Sequence, residues 1–478
     1  MSSDKCAEVR FISTDIVRPA NYCSSSGAAS DECIELSKWD LTMLTVGYTQ
    51  RGLLYSCKEE DKTTMVTRLK TSLALTLDHF FPLAGRVAVR KHSHGVDATE
   101  IETSSVYIDC NSKGAEFIHA IADNITVGNI IDPVYVPRVL ESLVSLNNVM
   151  NYEGLSKPLL SIQVTELIDG VFIGCSMNHS VCDGTSFWHF FNSWSEISRE
   201  TTTTTTTHHG ISRIPFLKRW FPESAGTPIQ LLFSIDSKSF KETYTSTTTA
   251  TSASQLELKF FHFTAENIAG LKAKANLCIS AESTSAKISS LQALLAHFWV
   301  AITRARYLNQ DDETSYLLAI NYRGRLNPPV PQEYFGNLSG AGLVTVKVGE
   351  LLERGIGWGS LLLNQVIMSH NDKAIRSSCD SWIDKPILLV PFNSASSSRS
   401  GHSLLLTGSS PRFNMYGNDF GWGRPIAVRS AGSSCKMDGV LSAHPGPNEG
   451  SIEIEACLSV ETFEALENNA EFMEFVTV

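Results

Sequence analysis

The sequence lacks the features that would place the protein in a membrane or on nucleic acid. It contains no run of about 18 consecutive apolar residues, the length that a membrane-spanning helix needs. It carries no long cluster of Lys and Arg, and its formal net charge is −11 with a pI near 5.7. Nucleic acid and anionic membrane surfaces are therefore poor partners.

Paired cysteines are also missing. The 11 cysteines are scattered without CxxC clusters or regular intervals. An odd number spread in this way indicates reduced thiols and a cytoplasmic location. The first eight residues lack the apolar core of a signal peptide. A glycosylation sequon at Asn178 lies where we expect a buried strand, which could not accommodate a sugar.

Length and composition indicate two domains joined by a polar segment. With 478 residues, 42% of them hydrophobic, the chain can bury a sizeable core. Thr201–Thr207 is a pure threonine run followed by His208 and His209, and a second polar patch covers Thr243–Ser254. Such tracts bury too little apolar surface to become ordered. We therefore predict an N-terminal lobe at 1–197, a partly mobile crossover loop at 198–254 and a C-terminal lobe at 255–478. We interpret the two histidines as part of a solvated loop.

A strand pattern enters the most informative stretch of the chain, residues 171–183. The positions on one parity are Val171, Ile173, Cys175, Met177 and His179. This period of two predicts a strand that forms a hairpin with residues 159–165. An imidazole thus ends an apolar strand face, with the carboxylate of Asp183 four residues later.

A helix pattern leaves the same stretch. Gly184 supplies backbone freedom for the turn, and Thr185 or Ser186 is the expected N-cap. The apolar residues that follow at helical spacing are Phe187, Phe190, Phe191, Trp194 and Ile197. Strand-to-helix junctions commonly hold the functional groups of α/β proteins, so His179 is the candidate catalytic residue.

Other periodic patterns predict elements in both halves of the chain. They predict a helix at 65–80, a strand at 256–263 followed by a helix capped by Thr264, strands at 317–322, 426–429, 439–443 and 451–458, and a helix from Val460.

Two other interpretations of the central stretch have little support. Cys182 lies between His179 and Asp183, but nothing obvious in the sequence lowers its pKa, so we interpret it as a packing residue and not a nucleophile. A metal site built from these three side chains lacks further ligands at suitable spacing, so we expect no metal.

A second stretch, Tyr416–Pro425, supports a functional interpretation of residues 171–183. It contains Asp419-Phe420-Gly421-Trp422-Gly423 and resembles the DFGWG motif of the plant BAHD acyltransferases. His179–Asp183 resembles the HxxxD motif of the same family, and the two motifs occur in the family's order. Further segments that resemble the family are Trp39–Leu41, Leu69–Arg86, Arg323–Pro331 and Tyr334–Asn337.

The resemblance extends from about residue 9 to the C-terminus and implies an α/β fold. Two pseudo-equivalent lobes, each similar to chloramphenicol acetyltransferase and built on a mixed β-sheet, would enclose a central channel. The implied activity moves an acyl group from acyl-CoA to a hydroxyl or amine of a small molecule of plant specialised metabolism. Acyl-CoA would be a co-substrate rather than a permanently bound cofactor, and we expect a monomer.

The resemblance also implies residue roles. His179 would be the general base. The acceptor would attack the thioester directly, so no acyl-enzyme would form. Asp183 would support the turn by pairing with an arginine, either Arg323 or Arg325, although a carboxylate can also orient an imidazole. In the second motif Asp419 would be architectural, together with Gly421, Trp422 and Gly423.

Two sets of contacts with the substrates remain open. Ser289 and Ser290 lie near a predicted helix N-terminus, where they could contact the cofactor phosphate or pantetheine or simply cap the helix. Many family members carry a Thr-Ser-Trp stretch about ten residues before DFGWG, but residues 407–412 contain no Trp. A developing oxyanion needs preorganised donors. The candidates are Asn337, Thr407, Ser409 and Ser410.

Two alternative functions are kept beside the acyltransferase. The altered 407–412 region is compatible with a CoA-independent, lyase-like or intramolecular activity on the same fold, which an absolute requirement for CoA would exclude. A non-catalytic binder has no need of His179, so ligand binding that is unaffected by His179→Ala, without turnover, would favour it.

Overall fold

Two six-stranded mixed sheets form the framework of the chain. The computed structural model describes residues 9–21, 32–56, 59–94, 101–203, 210–224, 226–245, 256–280, 286–389, 402–431 and 437–477. Their strands are β1 (Arg10–Val17), β2 (Cys33–Glu35), β3 (Thr49–Ser56), β4 (Arg86–His94), β5 (Ile101–Asp109), β6 (Ala115–Ile121), β7 (Leu160–Glu166), β8 (Gly170–Met177), β9 (Leu256–Phe263), β10 (Glu313–Asn321), β11 (Ser339–Lys347), β12 (His402–Thr407), β13 (Ala427–Ser430), β14 (Val440–Pro445) and β15 (Ile452–Ser459).

Helices cover these sheets. The α-helices are α1 (Lys38–Thr42), α2 (Glu59–His79), α3 (Val127–Ile131), α4 (Gly184–Thr203), α5 (Lys238–Thr245), α6 (Ala265–Ser280), α7 (Ser290–Ala305), α8 (Val348–Ser369, kinked at Gly355), α9 (Asp372–Asp384), α10 (Val460–Glu467) and α11 (Ala470–Met473). Short 3₁₀ helices occupy Phe81–Ala84, Arg138–Leu143 and Asn151–Leu155. None of the described helices is both long and apolar enough to cross a membrane.

Each large sheet belongs to one lobe. The first has the order β1-β6-β7-β8-β3-β13, and the second has the order β11-β10-β12-β14-β15-β9. Most neighbours are antiparallel, but β6 and β7 are parallel, as are β10 with β12 and β12 with β14. A smaller sheet, β2-β5-β4, lies beside the first lobe.

The periodic patterns in the sequence correspond to the observed elements. The helix expected at 65–80 is confirmed as part of α2, and its predicted core positions Met65, Leu69, Leu73, Leu77 and Phe80 are all 0% exposed. The hairpin of β7 and β8 and the strands β9, β13, β14 and β15 are also confirmed. Thr264 caps α6, since its hydroxyl accepts from the Asn267 amide at 3.1 Å.

The junction between β8 and α4 differs from its prediction in two details. β8 ends at Met177, so His179 lies in the turn beyond the strand. The expected N-cap at Thr185 or Ser186 is wrong, because α4 begins at Gly184 and the Asp183 carboxylate accepts from the Ser186 amide at 3.0 Å. The cap is thus the acidic residue of the motif itself.

Residues 413–431 cross from the second lobe into the first, which differs from the predicted division at 255–478. β13 pairs with β3 at the edge of the first sheet. Phe420 is fully buried in the core of the first lobe, with its ring centroid 4.7 Å from that of Trp194. The apolar aromatic residues of DFGWG need a core, and the first lobe supplies it.

Much of the predicted crossover loop at 198–254 is ordered and packed. α4 continues to Thr203, and α5 covers Lys238–Thr245. The apolar residues from this segment that are buried in the first lobe are Ile211, Ile229, Leu231, Ile235 and Phe240. The prediction of a loop was based on the polar tracts at 201–207 and 243–254, and it overlooked the apolar residues between them. His208 and His209 lie outside the described residues.

Replacing Phe420 tests the contact between the second motif and the first lobe. Because Phe420→Ala leaves a cavity against Trp194, we expect it to destabilise the protein by about 3–5 kcal/mol. Chemical denaturation followed by tryptophan fluorescence measures the effect. Phe11 is 61% exposed, so Phe11→Ala should change stability by less than about 0.5 kcal/mol. Equal losses in the two variants would contradict the assignment.

Candidate active site

The backbone of His179 is held from both sides. Its amide donates to Oδ1 of Asn151 at 2.8 Å, and its carbonyl accepts from Nδ2 of Asn337 at 2.7 Å. Asn151 belongs to the first lobe, and Asn337 precedes β11 of the second. The position of His179 is therefore fixed by residues of both lobes.

Asn178 shapes the turn that carries His179. Its side-chain oxygen accepts from the amide and the hydroxyl of Ser180 at 3.0 and 2.5 Å. Its amide group donates to the Asn151 carbonyl at 2.8 Å. An asparagine that bonds to the backbone two residues later is a standard way to tighten a turn, and here it brings the chain out of β8 towards α4.

The imidazole of His179 is partly exposed. Its Nδ1 atom is buried and has no hydrogen-bond partner among the described residues. His179 also forms no ion pair with any carboxylate of the described residues. The ring orientation therefore follows from the backbone and the surrounding packing, and not from an Asp or Glu.

Asp183 faces away from the imidazole and forms a bidentate ion pair with Arg323. The distances are 2.7 Å from Nη1 to Oδ2 and 2.9 Å from Nη2 to Oδ1. The amides of Ser186 and Leu338 complete its shell at 3.0 and 3.1 Å. Burial alone would raise the pKa of Asp183, but Arg323 and these hydrogen bonds bring it below the ordinary value.

Of the two arginines considered as partners, Arg323 makes this pair. The second choice, Arg325, instead donates to the carbonyls of Ile367 and His370 at 2.9 and 3.2 Å. Arg323 also donates to the carbonyls of Tyr334 and Gly336, each at 3.1 Å. It thereby connects the HxxxD turn to the segment that contains Asn337.

Asn337 is not available as an oxyanion donor, which corrects that prediction. Its side chain is fully buried, and Nδ2 donates both to the His179 carbonyl and to Oδ1 of Asp40, the latter at 2.9 Å. Both protons of the amide group are therefore engaged in structural hydrogen bonds. Asn337 acts on the backbone of His179 and cannot reach a substrate with these donors.

The other oxyanion candidates differ in how far they are engaged. Thr407 is buried at the end of β12, and its hydroxyl shares a 2.8 Å hydrogen bond with Tyr316. Ser409 donates to the Ala443 carbonyl at 3.0 Å. The Ser410 hydroxyl accepts from the Arg412 amide at 3.2 Å, which leaves its own proton without an acceptor among the described residues. Ser410 is thus the candidate with a donor to offer.

Gly184 does not use the backbone freedom that was predicted for it, and it packs closely against the ring of Phe413. A Cβ atom at this position would lie 3.0 Å from Cζ of Phe413. Its φ lies outside the left-handed region that favours glycine. The segment after β12 therefore reaches the first turn of α4, directly beside the HxxxD residues.

The second motif forms a rigid turn. Oδ1 of Asp419 accepts from the amides of Gly421 and Gly423 at 2.8 and 2.9 Å. Both glycines have positive φ values, +101° and +87°, which other residues rarely adopt. The guanidinium of Arg68 lies 5.0 Å from the ring centroid of Trp422. These contacts give Asp419, Gly421, Trp422 and Gly423 architectural positions.

Ser289 is the N-cap of α7. Its hydroxyl accepts from the Gln292 amide at 3.3 Å, and the Gln292 side chain accepts from the Ser289 amide at 2.8 Å. This reciprocal capping box occupies Ser289 in the way that plain capping predicts. Contact of Ser289 or the neighbouring Ser290 with a cofactor stays a prediction.

Cys182 is a packing residue. It is buried, and its Sγ lies 2.8 Å from Sδ of Met177. Burial and the negative charge of Asp183 raise the pKa of the thiol well above its ordinary value. A thiolate nucleophile is therefore disfavoured at this position. Among the described residues, no group of three or more His, Cys, Asp or Glu could hold a metal ion.

Comparison with known proteins identifies the family. A profile described as "Transferase family" matches residues 7–473. The chain is 34% identical to the BAHD acyltransferase DCR of Arabidopsis thaliana, over 92% of this chain and 88% of the relative. The chain belongs to the BAHD acyltransferase family. It is also 39% identical to an uncharacterised acetyltransferase of Arabidopsis thaliana, over 98% of this chain and 99% of that one.

A solved structure shares the fold of this BAHD protein. TRI101 of F. sporotrichioides, crystallised with coenzyme A and T-2, aligns with a TM-score of 0.68 over 93% of this chain and 99% of that one. The sequence identity is 18%, so the similarity concerns the fold. The expected class, two chloramphenicol-acetyltransferase-like lobes with mixed sheets, is confirmed.

Three residues of the BAHD site were not recognised from the sequence. Asn151 lies in a region whose boundaries could not be predicted. Asp40 was noted only as part of a family segment, and Arg219 falls in the interval assigned to a loop. In the structure Asp40 is fully buried, and its Oδ2 atom accepts from Nε of Arg219 at 3.0 Å. A lone carboxylate inside the apolar Trp39–Leu41 segment was the available signal.

Removing the charge of Asp183 tests its ion pair. Because Asp183→Asn leaves the buried Arg323 guanidinium without its counter-charge, we expect a loss of about 3–5 kcal/mol in the free energy of unfolding at neutral pH. Urea denaturation measures it. Asp438 pairs with Arg306 at 2.8 Å but is 49% exposed, so Asp438→Asn should cost less than about 1 kcal/mol.

The same comparison has a pH dependence. Since the folded-state pKa of Asp183 is depressed, its stabilisation is present above the unfolded-state value of about 3.9 and is lost as pH falls through the folded-state pKa. The stability difference between wild type and Asp183→Asn should therefore stay constant from about pH 7 to pH 5 and narrow below about pH 4. A difference that grows on acidification would contradict the ion pair.

Proposed function

We propose that the chain transfers an acyl group from acyl-CoA to a hydroxyl or amine of a small plant metabolite. The main support is His179, a partly exposed imidazole whose backbone both lobes hold, in a chain of the BAHD family. The pairing of Asp183 with Arg323 leaves this imidazole as the basic group of the motif.

His179 would act as the general base through Nε2, because Nδ1 is the buried nitrogen of the ring. The acceptor hydroxyl or amine gives its proton to Nε2 while its oxygen or nitrogen attacks the thioester carbonyl. The tetrahedral intermediate collapses, the C–S bond breaks, and the departing CoA thiolate takes the proton back from the imidazolium. A positioned base of this kind contributes on the order of 10²–10⁴-fold to the rate.

Coenzyme A is the proposed carrier of the acyl group. TRI101, which shares the fold, was crystallised with coenzyme A. We propose that Ser290, with the neighbouring Ser289, contacts the pantetheine or phosphate at the start of α7. Helix N-termini favour anions because their first amides lack partners within the helix.

Ser410 is the proposed hydroxyl donor for the developing oxyanion. Its proton has no acceptor among the described residues, whereas Thr407 and Ser409 are engaged with Tyr316 and Ala443. Ser410 also belongs to the segment whose Phe413 contacts Gly184 beside the HxxxD turn. In this chain a hydroxyl would thus serve where related sequences offer an indole.

We also propose that the protein is a cytoplasmic monomer. The donor and the acceptor would meet in its central channel. The free, buried thiols of Cys175, Cys182 and Cys379 fit a reducing compartment. Native mass spectrometry of the purified chain gives the oligomeric state, and fluorescence microscopy of a tagged chain in plant cells gives the location.

Replacing His179 tests the base. The purified protein should release free CoA thiol from a panel of CoA thioesters when plant alcohols and amines are supplied, with mass spectrometry identifying the acylated product. We expect His179→Ala to lower kcat on the order of 10²–10⁴-fold. His92 of β4 bonds to Ser105 of β5 in the small three-stranded sheet, so His92→Ala should keep full activity.

Three outcomes would contradict the proposal. Thiol release that persists undiminished in His179→Ala would exclude its role as base. Turnover of a small acid or conjugate without any thioester would favour the lyase-like alternative. Ligand binding without turnover by the wild type, equal in the variant, would identify a binder.

Replacing Ser410 tests the oxyanion donor. We expect Ser410→Ala to lower kcat by about 10²-fold, as loss of one oxyanion donor does elsewhere, with a smaller effect on KM. Ser381 lies on the exposed face of α9 and donates to the Ser377 carbonyl, so Ser381→Ala is a neutral control. An unchanged kcat in Ser410→Ala would assign the oxyanion to another donor.

A further inference from the structure

A second buried ion pair, between Asp40 and Arg219, lies behind the HxxxD turn. Nε of Arg219 lies 3.0 Å from Oδ2 of Asp40, and the two side chains are 1% and 0% exposed. We propose that Arg219 and Asp40 are positioning residues for His179, which they hold in place through Asn337 and the backbone of the turn. This inference rests on the proposed role of His179 as a base.

The first connection runs from Asp40 to His179 through Asn337. Oδ1 of Asp40 accepts from the backbone amide and from Nδ2 of Asn337 at 3.0 and 2.9 Å. The same Nδ2 donates to the His179 carbonyl at 2.7 Å. The carboxylate therefore fixes the rotamer that brings Nδ2 to His179. Hydrogen bonds to an ionised acceptor are about twice as strong as neutral ones.

The second connection runs from Arg219 directly to the turn. Nη2 of Arg219 donates to the Val181 carbonyl at 2.8 Å, two residues after His179. Nη1 donates to the carbonyl of Phe335, two residues before Asn337. One planar guanidinium thus binds Asp40, the turn and the segment that carries Asn337. A lysine ammonium cannot reproduce this set of directions.

The two ion pairs divide the turn between them. Arg323 holds Asp183 at the end next to α4, and Arg219 with Asp40 holds the stretch that contains His179 and Val181. Burial alone would lower the pKa of Arg219, but the Asp40 carboxylate raises it overall, so the guanidinium remains charged. A buried pair is costly to desolvate and often no better than apolar packing for stability. Precise placement of a turn is a use that apolar packing would not supply.

An NMR experiment tests the inference independently of acyl transfer. Histidine labelled with ¹³C at Cε1 gives one resonance per ring, and the His179 signal is the one missing from His179→Gln. We expect Asp40→Asn and Arg219→Lys to shift or broaden this signal. The control is Arg306→Lys, which alters a less buried ion pair of the second lobe and should leave the signal unchanged.

Kinetics provide the second readout. A misplacement of about 1 Å in a reacting group can cost on the order of 10²-fold in rate. We expect kcat to fall by about 10–10²-fold in Asp40→Asn, with KM for acyl-CoA nearly unchanged. Because Asp40 acts through Asn337, the double variant Asp40→Asn/Asn337→Ala should lose little more than Asn337→Ala alone, a clear departure from additivity.

The outcomes separate this inference from the proposed function. If the wild type turns over no thioester, the proposed function fails, and the His179 resonance still decides the positioning. An unchanged His179 signal in folded Asp40→Asn or Arg219→Lys would overturn the inference and leave a purely structural ion pair. If neither variant folds, Asn337→Ala keeps both charges and breaks the same link, and an unchanged signal there has the same meaning.

Discussion

The buried pair of Asp183 and Arg323 is the interaction on which the geometry of the site depends. The two side chains come from different lobes, and each is only 6% exposed. Removing two charges from water costs several kcal/mol per ion, and the cost is recovered only with excellent geometry and further hydrogen bonds. Here each carboxylate oxygen accepts from one arginine nitrogen and one backbone amide. Such a shell can form only when the lobes are docked, which places His179, four residues earlier, between them.

The docking is reinforced because each lobe uses chain from beyond its expected boundary. β13 adds a strand to the first sheet, and the aromatic residues of DFGWG fill the first core. In the other direction, Phe216 of the crossover forms a parallel bridge with Tyr334. Arg219 lies three residues after Phe216, so this bridge fixes its position. Segments that resembled linkers in the sequence thus supply side chains that hold the HxxxD turn, and the relative position of the lobes is part of the candidate site.

The sequence predicted what depends on near neighbours and missed what depends on distant ones. Periodic apolar residues identified α2, the hairpin of β7 and β8, and the strands that close the second sheet. The buried face of a strand or helix is formed by residues only two to four positions apart, so its pattern is visible in the sequence. The partner of Asp183, the packing of Gly184 and the role of Asn337 instead depend on residues that are distant in the sequence. Asp183 pairs with an arginine 140 positions away, Gly184 packs against the ring of Phe413, and Asn337 binds Asp40. Arg219 was hidden because its interval lies between two polar tracts.

The polar groups around His179 also explain how this turn differs from a catalytic triad. In a triad the acid binds the imidazole and stabilises the imidazolium that forms. Here Asp183 and Asp40 each form an ion pair with an arginine, so neither carboxylate binds the imidazole. The thioester of the proposed reaction needs less activation than an amide, since a thiolate is a good leaving group and would take the proton back within the same turnover. A base that is positioned through its backbone, without a carboxylate on the ring, would suit the proposed chemistry, and the buried charges would then fix its position rather than take part in proton transfer.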